Sequence, residues 1–206
     1  WRVLFGVWLA CLASGPALAA SCTLMILGDS LSSGYGLAPG TGWVDRLDAR
    51  LRQRAPSWRV VNASISGDTT QNGLQRLGPA LARHRPAGVV IELGGNDALR
   101  GMPPDTLRGN LTALVRQARA AGAWVLLLEA PVLPNYGPGY ARAVRAAYAG
   151  VARAEHATPV PCFVCAVALR PGMMQADAIH PNEQAQPAML DAVWAHLGAR
   201  LRCPAP

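Results

Sequence analysis

Hydrophobic positions along the chain fall into two alternating rhythms. Short, uninterrupted apolar runs predict β-strands over 23–27, 58–61, 89–93, 124–128 and 159–164. Between them, apolar residues recur at three- and four-residue spacing. Trp43, Leu47 and Leu51 mark one helix, and Leu74, Leu77 and Leu81 mark another over 71–83. Leu107, Leu111, Leu114 and Val115 mark a third over 105–121, a fourth covers 140–155, and Met189, Val193 and Leu197 mark the last over 183–201. A Pro-rich loop spans 131–138. Strands that are apolar on both faces and separated by helices predict a parallel sheet with helices packed on both sides. No repeat or low-complexity linker interrupts the pattern, and 206 residues suit one domain.

The first 19 residues stand outside this rhythm. Arg2, an apolar run over 3–12 and Ala17-Leu18-Ala19 read as an export signal cleaved after Ala19, leaving 20–206 as the folded domain. The run is too short to span a bilayer. A periplasmic or secreted location is expected, with lipid anchoring at Cys22 as the minor alternative, since a cysteine follows Ala19-Ala20-Ser21. Past the signal remain Cys22, Cys162, Cys165 and Cys203; an even number in an exported chain permits disulfides, and three pairings are open. The formal charge is +7, and every basic residue apart from histidine is arginine. These arginines are scattered without a dense run, so a nucleic-acid partner is not expected, and no obligate protein partner is inferred.

Polar clusters follow the strands where a parallel sheet presents its carboxyl ends, the edge at which such sheets bind ligands. Gly28-Asp29-Ser30-Leu31 follows the first strand; its serine could be a nucleophile on a sharp turn or simply a helix N-cap. In Asp177-Ala178-Ile179-His180-Pro181, three-residue spacing lets a carboxylate reach the imidazole Nδ1–H and leave Nε2 as a base, although a surface turn would read the same. The Gly67 N–H and the Asn96 amide, in glycine-rich turns after strands two and three, could join the Ser30 N–H around an oxyanion. His84, His156 and His196 read as surface or packing residues. Cys162-Phe163-Val164-Cys165 has the spacing of a thiol–disulfide or zinc motif, but lies late and inside an apolar run, which favours a structural disulfide or packed thiols.

Together these blocks resemble the GDSL or SGNH hydrolase superfamily, in the order that its motifs require. Gly28-Asp29-Ser30-Leu31 matches the nucleophile block, Gly67 lies in the second, Gly94-Gly95-Asn96-Asp97 matches the third and Asp177 to Asn182 the last. The wording is similar to that of bacterial exported arylesterases and acyl-CoA thioesterase/lysophospholipases. The resemblance implies a three-layer α/β/α sandwich on a five-stranded parallel sheet, flavodoxin-like, with no metal or cofactor. It implies a serine hydrolase of carboxylic esters and thioesters, lysophospholipids among them, using Ser30, His180 and Asp177. Ser30, Gly67 and Asn96 would form the oxyanion hole, and Leu133, Pro134 and Tyr136 would contact the acyl chain, with Leu74 and Leu77 weaker candidates. Carbohydrate O-deacetylation on the same fold is the nearest alternative, and a thiol–disulfide protein using Cys162 and Cys165 a more distant one.

Overall fold

The computed structural model describes residues 22–203; the expected signal over 1–19 lies outside them. Five parallel strands run β1 (Cys22–Gly28), β2 (Trp58–Asn62), β3 (Gly88–Glu92), β4 (Trp124–Leu128) and β5 (Thr158–Val160), in the spatial order β2-β1-β3-β4-β5. This is the doubly wound order whose switch point lies between β1 and β3, where the crossovers leave on opposite faces and open a crevice at the carboxyl edge. The helices are α1 (Ser30–Ser33), α2 (Trp43–Arg54), α3 (Thr70–His84), α4 (Gly95–Leu99), α5 (Pro104–Ala120), α6 (Gly137–Ala154), α7 (Cys165–Ala168) and α8 (Gln186–Leu197).

Alternation along each strand divides the core in two. Met25, Leu27, Val89, Ile91 and Leu127 face α3, α5 and α6, where Leu77, Leu111, Leu114 and Val144 are buried. Leu24, Ile26, Val90 and Leu126 face α2 and α8, whose Trp43, Leu47, Leu51, Met189 and Val193 fill the other layer. Leu74 and Leu77 belong to the first layer, so helix core accounts for them. The three-layer α/β/α sandwich is therefore the architecture that the pattern predicted.

The differences are two short helices that apolar periodicity did not mark, α4 and α7, and shifts at element ends that follow proline and cysteine chemistry. The last strand stops at Val160 instead of running to 164. Pro159 and Pro161 lack N–H groups, which suits β5 only as an edge strand. Cys162 to Cys165 then form a turn, with the Cys165 N–H donating to the Cys162 carbonyl at 3.2 Å. Helix α6 starts earlier than 140 because Pro138 occupies its first turn, and α8 starts later than 183 for the same reason at Pro187. Beyond Leu197 the chain tightens into a 3-10 turn over Gly198–Arg200.

The cysteines pair as Cys22–Cys203 and Cys162–Cys165. The first bond uses the sulfur that a thioether-linked lipid would occupy, which corrects the anchoring alternative. The second engages both thiols of the Cys-x-x-Cys and removes them as zinc ligands. Among the described residues, no helix is long and apolar enough to cross a membrane.

Candidate active site

Two glycines shape the crevice at the switch point. At Gly28, which pairs with Glu92 in the β1–β3 register, a Cβ would meet the Ser32 side chain at 2.7 Å and Glu92 Oε2 at 2.8 Å. Gly94 has φ +118°, and a Cβ there would lie 2.0 Å from the Tyr148 hydroxyl, which donates to the Leu93 carbonyl. Only glycine lets β1 and β3 turn this tightly into α1 and α4.

Helix α1 is capped by Asp29, whose carboxylate accepts the Leu31 N–H at 3.0 Å. Ser30 is thus the first helical residue and not the cap, so its hydroxyl is left for another partner. Ser30 Oγ lies 2.9 Å from His180 Nε2, and His180 Nδ1 lies 2.6 Å from Asp177 Oδ2. With Nδ1–H donating to the carboxylate, the Nε2 lone pair faces the serine hydroxyl. The other carboxylate oxygen, Asp177 Oδ1, accepts the N–H groups of Ile179 and His180 at 2.9 and 3.0 Å. Ala178 adopts φ +57°, a left-handed turn that swings both amides toward that oxygen. Donation from the His180 N–H, the His180 ring and the Ile179 N–H holds the Asp177 carboxyl down to about 2, so it stays ionised at every working pH. The Gln175 N–H donates to the His180 carbonyl, and the Tyr35 ring lies 4.7 Å from the imidazole.

The oxyanion candidates converge from three loops. Asn96, in the first turn of α4, donates from Nδ2 to the Asp68 carbonyl at 2.9 Å and to Asp29 Oδ2 at 3.1 Å, tying the Gly67-Asp68 turn to α1. Among the described residues, neither the Ser30 nor the Gly67 N–H donates to a protein acceptor. Both amides are therefore free for a ligand.

Behind these groups lies a buried acid network that motif matching missed. Ser32 donates to Glu92 Oε2 at 2.6 Å, and the Asp29 N–H points at the same oxygen at 3.4 Å. Asp97 is buried and accepts both the N–H and the hydroxyl of Thr70, which fixes the start of α3. The signal available was a glutamate closing the apolar run Val89-Val90-Ile91, a position that requires partners inside the protein. Burial pushes the Asp29 carboxyl up to about 6, against the lowering effect of the Leu31 N–H. Burial, then the Asp29 charge, raises Glu92 as well.

Because the folded protein holds the Asp29 proton more tightly than the unfolded chain, this group favours folding most at low pH. Its contribution is lost as pH rises through about 6. Asp29→Asn, neutral at every pH, should therefore be more stable than the parent at pH 8. The gain has a ceiling of about 3 kcal/mol, and it should vanish near pH 4. Thermal melts of both proteins across that range check it.

A cavity of about 160 Å³ opens beside Ser30, Asn96 and His180. Its apolar wall includes Leu31, Leu99, Leu133, Val164, Ala168 and Ile179. Leu133 thus lines it, whereas Pro134 and Tyr136 do not. These two enter a 3-10 turn (Pro134–Tyr136) that carries them off the lining, and the Tyr136 hydroxyl instead donates to the Leu99 carbonyl at 2.6 Å. His156 is exposed, while His84 and His196 sit half-buried on α3 and α8. The serine, the imidazole and the carboxylate thus meet at the mouth of an apolar cavity beside unpaired amides.

The model of the GDSL-like lipase/acylhydrolase family matches residues 26–187, which hold every one of these groups. The chain belongs to that family. It is an acylhydrolase of the SGNH type. It is 52% identical to "Esterase TesA" of Pseudomonas aeruginosa over 176 residues, covering 85% of this chain and 88% of the relative. It is 43% identical to "Thioesterase 1/protease 1/lysophospholipase L1" of Escherichia coli K12, covering 84% of this chain and 82% of the relative. The fold superposes on the psychrotrophic esterase EstA of a Pseudoalteromonas species with a TM-score of 0.83 at 38% identity, covering 87% of this chain and 98% of that one. The EstA structure carries monoethylphosphonate as an inhibitor.

Proposed function

We propose that this acylhydrolase cleaves carboxylic esters and thioesters of short and medium acyl chains through an acyl-enzyme on Ser30. One observation carries the reading: Ser30 Oγ, both imidazole nitrogens of His180 and the Asp177 carboxylate form one continuous hydrogen-bonded line at the cavity mouth. Ser30 Oγ attacks the acyl carbonyl as its proton passes to His180 Nε2, and Asp177 stabilises the resulting imidazolium. The Ser30 and Gly67 N–H groups and the Asn96 amide, released from one of its resting acceptors, hold the oxyanion. Collapse breaks the bond to the alcohol or thiol, which leaves with the proton from His180. Water then attacks the acyl-enzyme by the same route, releasing the acid and restoring the serine.

The relatives' names support esters, thioesters and lysophospholipids as substrate classes. The cavity argues for the shorter acyl chains, being smaller than the roughly 300 Å³ at which drug-sized ligand pockets begin. Export from the cytoplasm, with the domain beginning after Ala19, fits a fold with two disulfides, which persist in oxidising compartments.

A panel of nitrophenyl esters and matching acyl thioesters, from acetyl to dodecanoyl, tests the substrate class. The expected result is kcat/KM highest at or below hexanoyl and lower by about tenfold or more at dodecanoyl. A maximum at dodecanoyl would refute the short-chain assignment.

A further inference from the structure

We propose that the Cys162–Cys165 disulfide is a positioning element of the acyl cavity: it holds Val164 against the bound chain and so limits the acyl length accepted. This inference rests on the acyl-enzyme reading and adds what sets its chain-length limit.

The wall in question lies beyond the end of the sheet's edge strand. Strand β5 pairs only with β4 and ends at Val160; Pro159 removes a donor within it and Pro161 another just beyond it. One backbone bond closes the turn itself, from the Cys165 N–H to the Cys162 carbonyl, and the Val164 carbonyl accepts the N–H groups of Val167 and Ala168 from the short α7. Helix α7 is four residues long, and beyond it Leu169 is 93% exposed. Yet Val164 and Ala168, in this stretch, both line the cavity.

Two devices hold the wall in place. On the inner side, the Phe163 ring packs edge-on against Trp43 at 5.6 Å, and Trp43 Nε1 donates to the carbonyl of Leu31, itself a lining residue. On the outer side, the disulfide bridges the two ends of the turn that carries Phe163 and Val164, and its Cys165 end is exposed. Opening the bond leaves the inner anchor in place and lets the outer side of the turn move. The wall beside Ser30 then yields to longer chains, while the groups that perform the chemistry stay where they are. The other disulfide is an internal control. Cys22 starts β1 and pairs in register with Trp58 at the start of β2, at the edge of the sheet away from the site.

The test compares the parent, Cys162→Ala/Cys165→Ala and Cys22→Ala/Cys203→Ala on nitrophenyl acetate and nitrophenyl octanoate. The parent is also measured after reduction by a water-soluble phosphine, which converts each disulfide to two thiols as it takes oxygen from water to become the phosphine oxide. Alkylation and peptide mapping then show which bonds opened. Opening 162–165 should raise the octanoate-to-acetate ratio of kcat/KM by at least about fivefold, chiefly through the KM for octanoate. The kcat on acetate should stay within about twofold. Removing 22–203 should lower the melting temperature and leave the ratio unchanged. A ratio that falls, or rises less than this, with 162–165 open would overturn the proposal. Should the 162/165 variant fail to fold, the reduced parent supplies the same readout. Failure of the underlying reading is visible separately, as acetate hydrolysis by the untreated parent that survives Ser30→Ala.

Discussion

Ser30→Ala is expected to lower kcat on every ester by at least about a thousandfold, with the protein still folded. The expectation follows from what Ser30 does and does not do. Its hydroxyl contacts the His180 Nε2 at 2.9 Å, while the cap of α1 is supplied by Asp29. Alanine is a good first-turn residue and leaves no buried donor stranded, so the melting temperature should stay within about 2 °C of the parent. A factor of a thousand is about 4 kcal/mol of transition-state stabilisation. That is far beyond the few tenths attributable to a lost helix contact. Steady-state kinetics on nitrophenyl acetate with parallel thermal melts decide it. A variant that folds and keeps a tenth of its activity would remove Ser30 as nucleophile.

Asn96→Ala should cost roughly 100- to 1,000-fold in kcat, about 2.7–4 kcal/mol, with little change in KM. The amide donates to the Asp68 carbonyl and to Asp29 Oδ2 in the resting molecule; as an oxyanion donor it would exchange one of these acceptors for the developing charge. An interaction that strengthens only at the transition state appears in kcat and not in KM. The substitution also carries a second signature. Asn96 donates to the buried Asp29 carboxylate and is one of the groups that lower its pKa. Its loss should therefore raise the Asp29 pKa further above about 6. Asp29 would then take up its proton at a higher pH, and the pH window over which stability falls would move upward. A loss confined to KM, with that window unmoved, would assign Asn96 to substrate binding.

Much of this architecture was legible because parallel sheets buried on both faces impose continuous apolar strands. Val89-Val90-Ile91 and Trp124 to Leu128 have few other uses. The site was legible for a related reason. Polar and glycine residues that close such strands reach one edge, which brings Ser30, Gly67 and Asn96 together. His180, by contrast, lies well beyond β5 and α7 and was legible through the Asp177-to-Asn182 block that resembles the family's last motif. What escaped was of two kinds. The fifth strand was read too long because Phe163 and Val164 are as apolar as a strand, yet they serve a turn closed by a disulfide, and pairing among four cysteines is not encoded in their spacing. The buried acids were missed because Asp29, Glu92 and Asp97 act through burial and through partners such as Ser32 and Thr70 on other elements, and these are properties of packing and not of local sequence. Tyr136 shows the same limit at smaller scale: it follows Leu133 by three residues, and a single 3-10 turn separates the wall from its brace.

Covalent labelling shows whether Ser30 is the nucleophile that His180 activates. The purified chain is treated with a nitrophenyl alkylphosphonate, and the adduct is located by peptide mass mapping in the parent and in His180→Ala. One phosphonyl group per chain on Ser30 is expected, forming at least about a hundredfold more slowly without the imidazole. An adduct on any other residue, or labelling of Ser30 at the parent rate in His180→Ala, would contradict the account.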